Sequence, residues 1–214
     1  MIFYTADLHF GYPPILHDTA RPFSSVEEMD EALIEGWNRR VSSTDTVYVV
    51  GDFSYNNGHA PIQYLSRLRG NICLIRGNHD TGWDDAERVL DYCRSVKDFL
   101  EIDDQGTHVI LCHYPILHEK GGYMVHGHIH NQRNHAFTLL QQLPKVLNAG
   151  VDINFFRPVT LPELIENNRK YYSGETPELF PVPPEPDSLA PGVMPRTPVF
   201  YPLPVCGGKE TPQQ

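Results

Sequence analysis

Cysteine pairs are the first thing this chain lacks. Its four cysteines, Cys73, Cys93, Cys112 and Cys206, are scattered with no CxxC spacing. Cys73 and Cys112 lie inside apolar runs and are expected to behave as small buried hydrophobes, so a reduced, cytoplasmic compartment is the simplest reading. No run approaches the roughly 18 apolar residues that would span a bilayer, which argues against a membrane protein. The opening Met1-Ile2-Phe3-Tyr4 has neither a basic flank nor a small-residue cleavage site, so no secretory signal is expected. Basic charge is also scarce. A formal net charge of −10 opposes stable binding to duplex nucleic acid, which depends on neutralising phosphates. What remains is a globular composition, 40% apolar with 11% aromatics over 214 residues, long enough for one buried core.

Strand-like and helix-like stretches alternate along the first part of the chain. Ile2 to Ala6 reads as a short strand. Ser25-x-x-Glu28 is a capping-box pattern and, with Met29, Leu33 and Trp37, predicts a helix from about Val26 to Val41. A strand at Thr46–Val50, a helix near Pro61 to Leu68 closing at Gly70, and a strand at Asn71–Ile75 follow. Asp84 to Ser95 has helical spacing. Val96 to Ile102 and Thr107 to Cys112 read as strands joined by the turn Asp103-Asp104-Gln105-Gly106. Further strands are expected at Tyr123–Val125, Phe137–Leu140 and Val146–Leu147. Thr160-x-x-Glu163, with Pro162 in the first turn, opens a last helix to about Tyr172. This alternation predicts an α/β domain with a mixed sheet over residues 1–173. Eleven of the nineteen prolines fall in residues 174–214, which predicts an extended, polyproline-like tail that docks on the domain or on a second copy of the chain.

Five times a predicted strand ends and potential metal-binding side chains follow at once: Asp7 and His9, then Asp52, then Asn78 and His79, then His113, then His128 and His130. In open α/β sheets, sites form beyond the carboxyl ends of strands, so these groups are expected to converge. Asp7 and His9, two apart in an extended segment, can face one side; Gly127 lets the backbone come close beside His128. Imidazole, carboxylate and amide oxygen suit borderline divalent ions: manganese first, with iron, zinc or nickel as alternatives. The inventory suffices for two ions if one carboxylate bridges, and such a pair can acidify a shared water and clamp a phosphoryl group. The remaining histidines, His17, His59, His108, His118 and His135, are expected at the surface or behind the site, as is His126.

The set Asp7-x-His9, Gly51-Asp52, Gly77-Asn78-His79-Asp80, His113 and Gly127-His128-x-His130 resembles the five-motif signature of the calcineurin-like metallophosphoesterases, small bacterial and phage members above all. The resemblance covers residues 2 to about 130 and implies a four-layer αββα sandwich of two mixed sheets flanked by helices. Carried over motif by motif, it implies one ion held by Asp7, His9, Asp52 and His130 and another by Asp52, Asn78, His113 and His128. It further implies that His79 and Asn78 contact substrate, that His79 protonates the leaving oxygen, and that Asp80 orients His79. The chain departs from those small members at Tyr12, where many have histidine. It departs again at Asn148-Ala149-Gly150-Val151, where small phosphodiesterases often carry Asn-Pro-Gly-Ser.

Protein phosphatases of that superfamily follow the second motif with Val-Asp-Arg-Gly. This chain reads Gly51-Asp52-Phe53-Ser54-Tyr55-Asn56 and lacks that arginine. Two divalent ions, the carboxylates of Asp7 and Asp52 and a bridging hydroxide leave about one positive charge, which suits a phosphodiester monoanion. The expectation is a phosphodiesterase for small or nucleotide-like diesters that uses a metal-bridging hydroxide. A nuclease, a phosphomonoesterase and a non-catalytic metal-binding scaffold are the alternatives, and the tail keeps a homo-oligomer open.

Overall fold

The computed structural model describes residues 1–55, 61–81, 86–117 and 121–175. The expected tail and its docking, Cys206, His59 and His118 lie outside the described residues.

Two four-stranded sheets form the frame. In chain order the elements are β1 (Ile2–Thr5), α1 (Pro14–Asp18), α2 (Val26–Asn38), β2 (Thr46–Val50), α3 (Ile62–Leu65), β3 (Asn71–Ile75), α4 (Ala86–Val89), β4 (Cys93–Lys97), β5 (Leu100–Asp104), β6 (Thr107–Leu111), β7 (Tyr123–His126), α5 (His135–Leu140), β8 (Val146–Asn148) and α6 (Leu161–Ser173). The first sheet runs β1-β2-β3-β4 with all four strands parallel; an antiparallel bridge of Tyr4 with Val159 makes its edge mixed. The second runs β5-β6-β7-β8, with β5 antiparallel to β6 and the rest parallel.

Strand alternation sorts the apolar residues into layers. Phe3, Val47, Val49, Ile72 and Leu74 turn outward against Met29, Leu33, Ile34 and Trp37 of α2. Their neighbours Tyr4, Val50 and Ile75 turn inward and meet Val109, Leu111, Val125 and Leu147 of the second sheet. On the far side Ile110, Met124 and Val146 pack with Leu140 of α5. This is the four-layer sandwich. Trp37 is fully buried and its indole N–H donates to the Arg69 carbonyl at 2.8 Å, so its truncation would cost about 3–5 kcal/mol.

Helix termini follow the expected caps closely but not completely. Ser25 accepts from the Glu28 N–H at 3.2 Å, yet the Glu28 carboxylate turns back to Ser24 rather than Ser25. At α6 the full box forms, with Glu163 accepting from the Thr160 N–H at 2.8 Å, and Gly174 closes the helix at φ 81°.

Three segments differ from the sequence reading, the first being α1, where no helix was expected. The helix expected to reach Ser95 ends at Val89, and Cys93–Lys97 forms β4 beside β3. Cys93 and Val96 join the outer core from this strand, and an apolar spacing this short does not separate the two periods. β5 accordingly starts at Leu100. The strand expected at Phe137–Leu140 is α5, because the Asn134 side chain caps it by accepting from the Ala136 N–H at 2.9 Å.

Candidate metal centre

The carboxyl ends of β1, β2, β3, β6 and β7 meet, and the loops that leave them are laced together by backbone hydrogen bonds. Asp7 N–H donates to the Gly51 carbonyl, His9 N–H to Asp52, and Gly127 N–H to His113, at 2.9–3.0 Å. Close approach explains the glycines. A Cβ on Gly77 would lie 2.1 Å from Asp52 Oδ1, and one on Gly127 would lie 2.8 Å from Asp7 Oδ2. The candidate donor residues themselves bear the strain. Asp7, His9, Asp52, His128 and His130 all have φ between 50° and 72°, a left-handed conformation that costs about 1–2 kcal/mol per residue and persists only where the surroundings enforce it.

The donors separate into two groups. Asn78 Oδ1 lies 3.0 Å from His113 Nε2 and 3.0 Å from His128 Nδ1, and His113 Nε2 lies 3.3 Å from Asp52 Oδ2. His113 Nδ1 sits 2.9 Å from the Val50 carbonyl, which can only accept, so Nδ1 carries a proton. The lone pair of neutral His113 Nε2 then faces two oxygens. Such a convergence of acceptors needs a positive charge at its centre. A cation with ligand bonds of about 2.1 Å spaces adjacent donors about 3.0 Å apart in an octahedron, which fits these separations. Without one the site draws a proton: burial opposes charge on His113, but the Asp52 and Asp7 carboxylates outweigh it and raise the imidazole to about 9.

Asp7, His9 and His130 form the second group, with donor atoms within 4.8 Å of one another. Both ring nitrogens of His9 are buried without a hydrogen-bond partner, a costly state unless something else binds there. Burial, then the neighbouring His130, hold His9 well below its ordinary value, so it presents neutral imidazole. Asp52 joins the groups: its Oδ2 is 3.6 Å from His9 Nε2 as well as 3.3 Å from His113 Nε2. The donor set therefore fits two cations sharing Asp52. Asp7, His9, Asp52, Asn78, His113, His128 and His130 all fall in one group or the other.

The family profile for calcineurin-like phosphoesterases matches residues 1–175. The chain belongs to that family. An uncharacterized protein of Methanocaldococcus jannaschii is 31% identical over 170 residues, covering 77% of this chain and 89% of that one. The gene 66 protein of Mycobacterium phage D29 is 29% identical over 180 residues, covering 71% and 87%. Among solved structures, a protein of unknown function from Aquifex aeolicus superposes with a TM-score of 0.62 at 22% identity, covering 78% of this chain and 98% of that one; it shares the fold.

In this phosphoesterase His79 lies on the open side of the centre. Its Nε2 is 4.0 Å from Asp52 Oδ2, its backbone N–H donates to Asp52 Oδ1 at 2.9 Å, and with His9 and Asp52 it makes a third set of nearby donors. Burial holds its imidazole below the ordinary value, against the pull of Asp52.

Asp80 corrects an expectation. Its carboxylate is 4% exposed and accepts from the backbone N–H groups of Asp52, Phe53 and Gly77, each at 2.8 Å. Among the described residues it makes no hydrogen bond to the His79 ring. Three of its acceptor positions are taken by amides, so it ties the loop after β2 to the loop after β3, and the His79 ring is not among its partners. Burial and the nearby Asp52 charge push it up to about 7. His126 is buried behind the centre, with Nδ1 donating to the Gly127 carbonyl at 2.8 Å.

Several residues escaped the sequence reading. Asp152, in a short turn just after β8, lies with Oδ2 2.9 Å from His130 Nδ1. Tyr12 and Tyr55 stack with ring centroids 4.3 Å apart, at 6.1 and 5.4 Å from the His79 ring. Tyr114, 46% exposed, stands 4.8 Å from the His128 ring on the other side. Only Tyr12 carried a signal, as the departure from histidine. Among the described residues no helix is long and apolar enough to cross a membrane.

Proposed function

We propose that this phosphoesterase is a two-cation phosphodiesterase for small or nucleotide-like diesters, with manganese the first metal to supply. The observation that carries the reading is Asp52 Oδ2, which lies within 3.6 Å of an imidazole nitrogen from each half-site. When bound, two such cations acidify a water and offset the charge of a phosphoryl group in flight. The chain's own residues do the rest. His79, at the open edge, holds a proton on Nε2 and gives it to the leaving oxygen; the substrate's negative charge favours the protonated ring. Asn78 turns Oδ1 toward His113 and His128, leaving its amide nitrogen as the end able to donate to a phosphate oxygen. The stacked Tyr12 and Tyr55 rings beside His79 offer a flat wall on which a nucleobase or aryl group can lie, worth about 1–3 kcal/mol in comparable stacks.

Two features favour diesters over monoesters. The motif after β2 supplies no arginine to grip a dianion, and two cations against two carboxylates and a hydroxide would leave about one excess positive charge. The test is hydrolysis of an aryl phosphodiester beside its monoester in manganese, with His79→Ala as control. A diester preference, with turnover slowed roughly 10²–10⁴-fold in the variant and metal still bound, is expected. Monoester-favouring rates would overturn the diester assignment, and unimpaired turnover in the variant would overturn the acid.

A further inference from the structure

The Asp7–His9–His130 half-site stands on a second layer of buried charge that the reaction itself does not use. Arg21 is buried, and every direction of its guanidinium is committed. Nε donates to Asp152 Oδ1 at 2.8 Å and Nη2 reaches Asp152 Oδ2 at 3.3 Å. Nη1 donates to the Leu8 carbonyl at 2.8 Å and Nη2 to the Asp7 carbonyl at 2.6 Å. Nη1 also lies 3.2 Å from the Met29 sulfur, and the Phe156 ring covers the guanidinium at 5.9 Å. Asp152, equally buried, turns its Oδ2 to His130 Nδ1 at 2.9 Å.

One guanidinium thus holds the backbone at Asp7 and at Leu8, just before His9, and reaches His130 through Asp152. It grips the carbonyls of Asp7 and Leu8 on the segment where Asp7 and His9 hold φ of 56° and 53°. Through Asp152 it fixes the ring of His130. Asp152 accepts from Nδ1 and so leaves Nε2 bare for a cation, the arrangement by which a carboxylate sets a ligating histidine's tautomer. The other half-site has a different support. Asp80 binds the amides of Asp52 and Gly77, and the Val50 carbonyl fixes His113. A buried ion pair is weak evidence for stability, since apolar residues of like volume often serve as well. Its placement against one set of ligands calls for a reason.

We propose that Arg21 and Asp152 are positioning residues that set the cation affinity of the Asp7–His9–His130 half-site independently of the Asn78–His113–His128 half-site. The inference rests on the two-cation reading above, and its test reads metal binding rather than turnover.

The full chain, freed of metal, is titrated with Mn²⁺ by calorimetry, and thermal melting of the cation-free protein is followed in parallel. Asp152→Asn lowers one of two affinities by about 10–100-fold, the usual weight of such a partner, and leaves the other within about 3-fold. Arg21→Lys, which keeps the charge but not the fork, weakens the same one. Asn78→Ala weakens the other, which assigns the two. Nitrogen-15 spectra of the cation-free wild type show His130 protonated on Nδ1. Unchanged affinities in Asp152→Asn, or an equal fall in both with melting unaltered, would overturn the inference. So would a His130 ring that carries a proton on Nε2 and none on Nδ1 in the wild type, a readout that stands even if neither variant folds. Wild-type protein that binds two Mn²⁺ but hydrolyses no phosphoester would defeat the proposed activity and leave this inference standing; wild type that binds none defeats both.

Discussion

Asp80→Asn separates two roles that one carboxylate could play beside His79. In the structure Oδ2 accepts from the amides of Asp52 and Gly77, and Oδ1 from that of Phe53. An asparagine keeps one oxygen. It can retain the shared pair, but it then turns its NH₂ toward the Phe53 N–H, a donor facing a donor. The loss is one hydrogen bond to a charged acceptor, about 1.5–3 kcal/mol, with a buried amide left unpaired. Against this, the neutral amide escapes the burial and the Asp52 charge that disfavour an ionised Asp80. A net fall of about 1–2 kcal/mol is expected, which at about 2–4 °C per kcal/mol lowers Tm by roughly 2–8 °C for a chain of this size. The measurement belongs at pH 8, above the value of about 7 to which burial raises this carboxyl, so that the wild-type group is ionised. Melting, Mn²⁺ affinity and steady-state turnover of the metal-saturated enzyme are followed together. Stability and metal affinity should fall, because the loops carrying Asp52 and Asn78 lose their tie. Turnover at metal saturation should change less than about 10-fold, with its pH profile unmoved, because Asp80 does not touch the acid. Turnover slowed by roughly 10²-fold or more at unchanged Tm would refute the reasoning and restore Asp80 as the partner of His79.

Two further outcomes follow from the same geometry. In Gly77→Ala the new methyl would sit 2.1 Å from Asp52 Oδ1 and 2.4 Å from its amide nitrogen, so the shared ligand must move; Mn²⁺ affinity should drop more than about 10-fold, with overpacking costing about 1–3 kcal/mol. Gly106→Ala is the control, since its Cβ would meet nothing within 4 Å and only the backbone at φ +86° objects; loss of metal affinity there would show that the Gly77 effect is not local. Cation affinity should also rise with pH. Burial disfavours charge on His113, but Asp52 and Asp7 raise it to about 9 in the cation-free protein, and only the neutral ring can bind metal. Each ion entering that half-site below about pH 9 must expel a proton, so affinity should climb about tenfold per pH unit between pH 6 and 8. Mn²⁺ titrations across that range test it, and a flat profile would contradict it.

The sequence alone picked out the candidate donors and an α/β frame to carry them. Asp7, Asp52, Asn78 and His113 each follow a short apolar run, and a strand followed at once by a ligand is a local pattern that needs no knowledge of distant residues. The two-sheet layering came from the family resemblance alone, because Phe3 and Tyr4, like Val49 and Val50, are apolar on both faces and period two marks neither as the outer one. Short elements with one or two apolar contacts were not legible: Cys93–Lys97 became a strand because β3 offered it an edge, and His135–Leu140 a helix because Asn134 caps it. Tertiary structure alone decided what surrounds the ligands. The left-handed backbone at Asp7, His9, Asp52, His128 and His130 is imposed by loops that brace one another. Arg21 and Asp152 stand 131 positions apart, and nothing near either one announces the other. A carboxylate beside a histidine in sequence, as in His79-Asp80, invites the reading that they are partners. Folding gave Asp80 to three backbone amides and sent Asp152 to His130, because a buried carboxylate binds the donors that converge on it in space.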